Sequence, residues 1–235
     1  MLVYWQILYI LSTPNLLARI RTETAPYTTI TKGLSIGSFS ESPNLSLSHE
    51  GLCTKCPLLK ATYLEALRLT NQPWSVRLAS SDVVISRPSS KTDSENPTEP
   101  ISYLLPKNSY VTVPHELHMR DPKYFTDPDK FIPERFLTTQ EDGTQTVDMG
   151  TIRPYGGGPS ICKGRLFAER ECLCLVAGVL AYWDIEPQDQ RKGFVIPKME
   201  KTAGVCRPVG DTRVRIRRRV FEWEGGGVGK GERKA

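Results

Sequence analysis

The sequence predicts a mainly α-helical fold with a small β region, and three observations carry that expectation. The stretch LLKATYLEALRL at 58–69 is apolar around most of its circumference, as in a helix buried on all sides. The run 172–183, behind a second helix start, is continuously apolar, again as in a fully buried helix, and is too short to span a bilayer. Strand-like patterning is confined to 75–85, 103–114 and 212–220.

The 235 residues, 39% hydrophobic and 24% charged, suit a soluble globular protein of one large domain or two small ones. Thirty-one basic against 26 acidic residues give +5, too mild to argue for nucleic acid, and no basic patch with interleaved aromatics is present. Six cysteines at irregular spacing are not a secreted disulfide framework, which points to a reducing compartment.

Taken in order, the opening MLVYWQILYIL has no basic residues before it, as a signal peptide requires, and is shorter than a membrane span. It reads as a buried helix, and a chain that opens inside one suggests a missing front. Pro14 suits the first turn of a helix running through Leu16, Leu17, Ile20 and Arg21, with Ser12 or Thr13 as its cap. Residues 26–50, rich in Ser, Thr, Gly and Pro, read as loop. Cys56-Pro57 opens the buried helix, with proline in its first turn. Between the first two strand runs, SRPSSKTDSENPTEP at 86–100 is too polar to bury a core and reads as a flexible hairpin insertion. The stretch 120–136 is crowded with Pro, Asp and aromatics, irregular but packed. Residues 212–220 alternate β-branched residues with arginine, an edge-strand pattern, and the glycines and charges from 221 onward predict a disordered tail. No internal repeat is visible.

Chemistry concentrates at RPYGGGPSICKGRLFAERE, 153–171. Glycines remove side chains where a backbone must turn tightly or let something large approach. A helix beginning at Lys163 points its free N–H groups and positive end at the Cys162 sulfur, favouring thiolate. That arrangement suits a flat, bulky metal cofactor with a single sulfur ligand. Glu65 and Arg68, three apart on the buried helix, can meet. Burial argues against a surface ion pair, because an unpaired internal charge is very costly. One carboxylate rarely satisfies the five donors of an arginine, so the pair needs further partners. FIPERF supplies a second arginine, Arg135, for the same Glu65 carboxylate. The CTKC at 53–56 is at most half a zinc or redox site: Cys172 and Cys174, two apart on a helix, point away from each other.

EALR at 65–68, LHMRDP at 117–122, FIPERF at 131–136 and PYGGGPSICKG at 154–164 resemble, in order and spacing, the cytochrome P-450 monooxygenases. The likeness predicts a partial domain over 1–220, the haem-binding C-terminal half of that fold, with a disordered tail over 221–235. It implies that Cys162 is the metal ligand, the proximal thiolate of the iron of haem b, pushing electron density onto it. Tyr155 stands where the family has phenylalanine, packed beside the sulfur, and its hydroxyl needs a partner. Gly158 and Gly164 match the glycines that permit the turn and the close approach of the helix to haem. Glu65, Arg68 and Arg135 match a buried structural triad that holds the cysteine loop in shape. Ser160 stands where many members carry the arginine or histidine that binds a haem propionate. Arg77 is the candidate substitute, the alternative being a solvated strand charge. Lys163 and Arg165 lie where the family docks its electron donor, or are ordinary surface charge.

The implied activity is insertion of one oxygen atom of O2 into a lipophilic substrate, using NAD(P)H electrons delivered by a reductase. The implied location is the endoplasmic reticulum membrane, facing the cytosol, with attachment only through a missing N-terminal segment. The acid-Thr helix, A-G-x-D/E-T-T, is expected before Met1, since ETAPYTT at 23–29 is broken by Pro26 and reads as loop. No catalytic residue is therefore assigned, and this chain alone is expected to be inactive. YGGG and CKGRLFAERE resemble fungal members near the sterol 7-hydroxylase and prostacyclin synthase branch. A thiolate-haem isomerase of the latter kind and a non-catalytic fragment are the alternatives.

Overall fold

The computed structural model describes residues 1–36, 39–88, 100–202, 204–223 and 229–232. Its helices are α1 (Leu2–Ser12), α2 (Leu16–Thr24), α3 (His49–Thr54), α4 (Pro57–Thr70), α5 (His115–Met119) and α6 (Arg165–Tyr182). Helix α4 is the axis of the core, with twelve of its fourteen residues buried. Such a helix must be covered from every side, and α1, α2, α3 and α6 pack around it. Pro57 occupies its first turn, where a missing N–H costs nothing. The next two N–H groups, of Leu58 and Leu59, donate to the two carboxylate oxygens of Glu23, each at 2.8 Å. An anion is favoured at that positive helix end. The glutamate of ETAPYTT thus caps α4 from α2.

Strands occur as eight antiparallel pairs among the described residues. In the first part of the chain β1 (Thr28–Thr31), β2 (Ser35–Ile36), β3 (Phe39–Ser40) and β4 (Asn44–Leu47) pair as β1 with β4 and β2 with β3. Next, β5 (Trp74–Leu78), β6 (Val83–Arg87), β7 (Ile101–Leu105) and β8 (Tyr110–Pro114) nest as β6–β7 beyond β5–β8. Then come β9 (Leu137–Thr139) with β10 (Gln145–Val147), and β11 (Trp183–Pro187), which runs on from α6. The last are β12 (Met199–Glu200) with β13 (Arg207–Pro208), β14 (Val214–Arg218) against β11, and β15 (Val220–Trp223) with β16 (Gly229–Glu232).

Several sequence expectations are corrected here. Among the described residues the strands are nearly as extensive as the α-helices, so the β part is not small and the chain is not clearly mainly α. Residues 26–50 are not simply loop: β1 and β4 lie on α6, where Leu45 and Leu47 fill the space over Gly178 that a Cβ would occupy at 3.3 Å from each. Asn15, in the left-handed region at φ 61°, is the residue before α2, not Ser12 or Thr13. Those two hydroxyls bond backward to the carbonyls of Leu8 and Tyr9 and end α1. The strand runs 75–85 and 103–114 are each broken in two. There the Asp82 side chain takes the Lys107 N–H, and Asn108 turns left-handed at φ 66°. Most of the expected hairpin insertion, 89–99, lies outside the described residues.

Helix α6 begins at Arg165, not Lys163, with Gly164 before it. It is not fully buried either: Leu166, Phe167 and Leu175 are exposed, because only its Cys172, Leu173, Val176 and Ala177 side faces the core. The expected disordered tail from 221 instead starts as a strand, since Phe221 is buried with Ile30 and Ala181 and Trp223 packs beside them. Residues 224–228 and 233–235 lie outside the described residues.

Helix α1 ties the core to the C-terminal part. Trp5 is wholly buried and donates its indole N–H to the Cys206 carbonyl at 2.7 Å, while the Cys206 N–H reaches Thr70 at the end of α4. Truncating a buried tryptophan typically costs about 3–5 kcal/mol. Trp5→Ala should therefore lower stability by about that much in urea denaturation. Trp5→Phe, which keeps bulk but orphans the carbonyl, should lose only about 1–3 kcal/mol.

Candidate functional site

Glu65 and Arg68 of α4 are completely enclosed, with no exposure of either side chain. Arg68 grips Glu65 bidentately, Nε to Oε2 at 2.7 Å and Nη2 to Oε1 at 2.8 Å. Its other three N–H groups go to backbone carbonyls at the end of α5 and in the irregular stretch behind it: Met119 and Pro128 at 2.7 Å each, and Lys130 at 3.2 Å. All five donors are thus used. Glu65 Oε1 also accepts from the Ile132 N–H at 2.9 Å and from Arg135 Nε at 3.1 Å. Phe125 presents its ring to both guanidinium groups, 5.1 Å from Arg68 and 5.9 Å from Arg135. The three residues paired from sequence are therefore in one network, and the carbonyls that complete it were not foreseen.

The far end of α4 holds the cysteine loop. Asn71, just past the helix, donates its side-chain amide to the Pro154 carbonyl at 2.8 Å. The Tyr155 hydroxyl meets the hydroxyl of Tyr63, a wholly buried residue of α4. Burial raises both phenols above their usual range, Tyr63 most, so both stay neutral. The partner that Tyr155 requires is thus Tyr63, which no spacing rule pointed to. The loop turns through Gly156 and Gly158 at φ 73° and 66°, positions that resist any side chain. It closes with the Cys162 N–H on the Tyr155 carbonyl at 3.1 Å. Gly164 sits against the sulfur, where a Cβ would lie 4.0 Å from Cys162 Sγ.

Cys162 is the only exposed member of the six free cysteines. It opens onto a cavity of about 700 Å³, together with Tyr155, Ser160 and Arg77, while Leu2, Leu67 and Leu175 supply apolar wall. Arg77, on β5, bonds to the Val76 carbonyl and forms no ion pair among the described residues. Cys172 also lines the cavity, but burial pushes its thiol up to about 11. Cys56, the buried thiol of CTKC, is pushed up to about 12 and donates to the Glu23 carbonyl. Among the described residues no three His, Cys, Asp or Glu side chains gather as a multidentate metal site. A single accessible sulfur beside a large cleft is the donor set.

Residues 3–212 match the family model described as Cytochrome P450. The chain belongs to the cytochrome P450 family. It is 29% identical over 182 residues to the monooxygenase poxD of Penicillium oxalicum, covering 77% of this chain and 33% of that protein. It is 30% identical over 167 residues to the mitochondrial 25-hydroxyvitamin D-1 alpha hydroxylase of Homo sapiens, covering 71% and 28%. A Gibberella zeae cytochrome P450 monooxygenase is 26% identical over 232 residues, 95% of this chain and 41% of that one. A cytochrome P450 crystal structure superposes with a TM-score of 0.65 at 24% identity, covering 93% of this chain and 42% of that chain. The chain spans less than half the length of these P450 relatives, and the shared fold is a partial P450 fold.

Within this partial P450 fold, the charges and the phenols make separable demands. Breaking a buried ion pair costs about 3–5 kcal/mol. Arg68→Ala should lose that much in chemical denaturation, whereas Arg135→Ala, which removes one charge-assisted bond, should lose about 1.5–3 kcal/mol. Equal and negligible losses would show that the network carries no energy. For the phenols, Tyr155→Phe leaves the Tyr63 O–H buried and unpaired, costing about 1–3 kcal/mol. The double change to Phe at 63 and 155 should recover most of that loss in the same assay.

Proposed function

We propose that this chain is the haem-thiolate part of a P450 monooxygenase, with Cys162 as the iron ligand. One observation carries the reading: the sole exposed cysteine stands at the wall of a large, partly apolar cleft, on a glycine loop anchored to the core by Tyr63 and Asn71. The residues present fit haem. Cys162 would supply a lone sulfur ligand and Arg77 positive charge for a carboxylate arm, while Gly156 leaves its stretch of the cavity wall without a side chain. When bound, haem supplies the oxygen-activating chemistry, with a thiolate ligand favouring O–O cleavage.

The chain's own residues bind and position. Tyr155 and the Gly164 turn fix the loop on either side of the sulfur, and Glu65, Arg68 and Arg135 keep the loop's support rigid. In the complete reaction a lipophilic substrate would receive one oxygen atom, with electrons from NAD(P)H through a reductase docking near the exposed Lys163 and the half-exposed Arg165 that opens α6. Among the described residues no helix is long and apolar enough to cross a membrane. Relatives include proteins named as mitochondrial, such as the sterol 26-hydroxylase of Rattus norvegicus, so the mitochondrion stands beside the endoplasmic reticulum as a location.

The test is spectroscopic. Haem-loaded protein, reduced under carbon monoxide, should show the red-shifted band of a thiolate complex. Cys162→Ala should abolish it, while Cys172→Ala and Cys174→Ala keep it. Persistence of the band in Cys162→Ala would overturn the ligand assignment.

A further inference from the structure

On strand β5, residues two apart share a face, and Ser75 and Arg77 both line the cavity that Cys162 opens onto. Ser75 is not idle: its Oγ lies 2.8 Å from Nε2 of His115, the first residue of α5. Register explains the meeting. Ser75 pairs across the hairpin with Val113, and the His115 N–H bonds back to the Pro73 carbonyl at 3.2 Å, folding the histidine over β5. Gly156 of the cysteine loop sits against the same serine, where a Cβ would lie 3.6 Å from Ser75 Oγ. Strand, histidine and loop therefore converge on one hydroxyl at the cavity wall.

A serine hydroxyl has one hydrogen and two lone pairs, so its partner decides which way the hydrogen points. Burial, with a smaller contribution from His118, holds His115 below its ordinary range, leaving the imidazole neutral near pH 7. With its proton on Nε2 it donates to Ser75, and the serine hydrogen is then free for an acceptor in the cavity. The neighbouring Glu116 does not compete, since its two oxygens take Gln72 at 2.6 Å and Lys201 at 3.1 Å. Beside this donor stands Arg77, a cation with no carboxylate partner among the described residues. A neutral donor and a guanidinium on one strand face match an acceptor-only anion with two oxygens, a carboxylate.

We infer that Ser75, backed by His115, is an anchor for a carboxylate arm of a tetrapyrrole in this cavity, acting with Arg77. The inference rests on the haem reading above and gives the site a polar contact that Ser160, uncharged, does not provide. His115 is a positioning residue and Ser75 the contact.

Haem and its dimethyl ester, which lacks free carboxylates, can each be titrated into the full chain while following tryptophan fluorescence, since Trp74 lines the cavity. Ser75→Ala and His115→Phe should each weaken haem binding by about tenfold, the scale of one charge-assisted hydrogen bond. Both should leave ester binding within about twofold, and Ser75→Thr, which keeps a hydroxyl, should restore haem affinity. Equal losses for haem and ester, or no loss for either, overturn the anchor while leaving the Cys162 assignment standing. Failure of the unaltered chain to bind either compound overturns the haem reading and the anchor with it.

Discussion

Arg68 places five N–H donors inside a helix that has no free acceptors of its own, and the rest of the structure is arranged around that demand. An α-helix spends its interior carbonyls on itself, so α4 can offer Arg68 only the Glu65 carboxylate. The remaining donors must be met by backbone that is not in a regular element, whose carbonyls are still available. The free carbonyl at the end of α5, Met119, and the irregular stretch up to Ile132 are such backbone, and Pro128, which has no N–H, supplies one of the carbonyls. Wrapping this segment over α4 satisfies the charges and brings Phe125 and Phe136 into the core. A buried ion pair need not stabilise more than apolar residues of the same volume would. What it does here is select one wrapping: a shifted segment would present N–H groups, or nothing, to a guanidinium that can only donate.

The same helix carries that order to the cleft. Glu65 and Arg68 fix its middle, while Tyr63 and Asn71 reach toward Tyr155 and Pro154. Cys162 is held only by its backbone, through the bond to Tyr155 and the turn at Gly164. The sulfur's position therefore follows from the loop, and the loop's position from α4. This ordering explains why charges distant from the sulfur bear on it without touching it.

Much of this was legible in the sequence because chemistry restricted the choices. An apolar circumference containing Glu and Arg three apart admits little except a buried pair, and glycines before a lone cysteine admit little except a tight, open loop. The parts that were not legible depend on tertiary partners. Nothing local in 28–47 announces a hairpin; Leu45 and Leu47 become strand residues because Gly178, on a helix far along the chain, leaves a groove for them. Asn15, without a side-chain cap bond, stands before α2 where Ser12 or Thr13 was expected, and their hydroxyls are spent on the last turn of α1. The apolar run of α6 hid the fact that only one of its sides faces the core, since a continuous run carries no periodicity to read. The meetings of Tyr63 with Tyr155 and of Ser75 with His115 join residues 92 and 40 positions apart, beyond any spacing rule.

The contrast between the two polar regions is itself informative. Around Glu65 all five donors of Arg68 and both carboxylate oxygens are used, as burial requires, and this buried pair could receive no ligand without breaking a bond. At the cavity the polar groups keep capacity in reserve: Cys162 has an accessible sulfur, Arg77 has spent one bond on its own strand, and Ser75 keeps a hydrogen or a lone pair to offer. Water can satisfy such groups while they are exposed, but an anionic, bulky guest satisfies them more strongly once the cleft is closed around it. A fold that saturates one set of polar groups along α4 and leaves another open on the strand that follows it separates the work of staying folded from the work of binding.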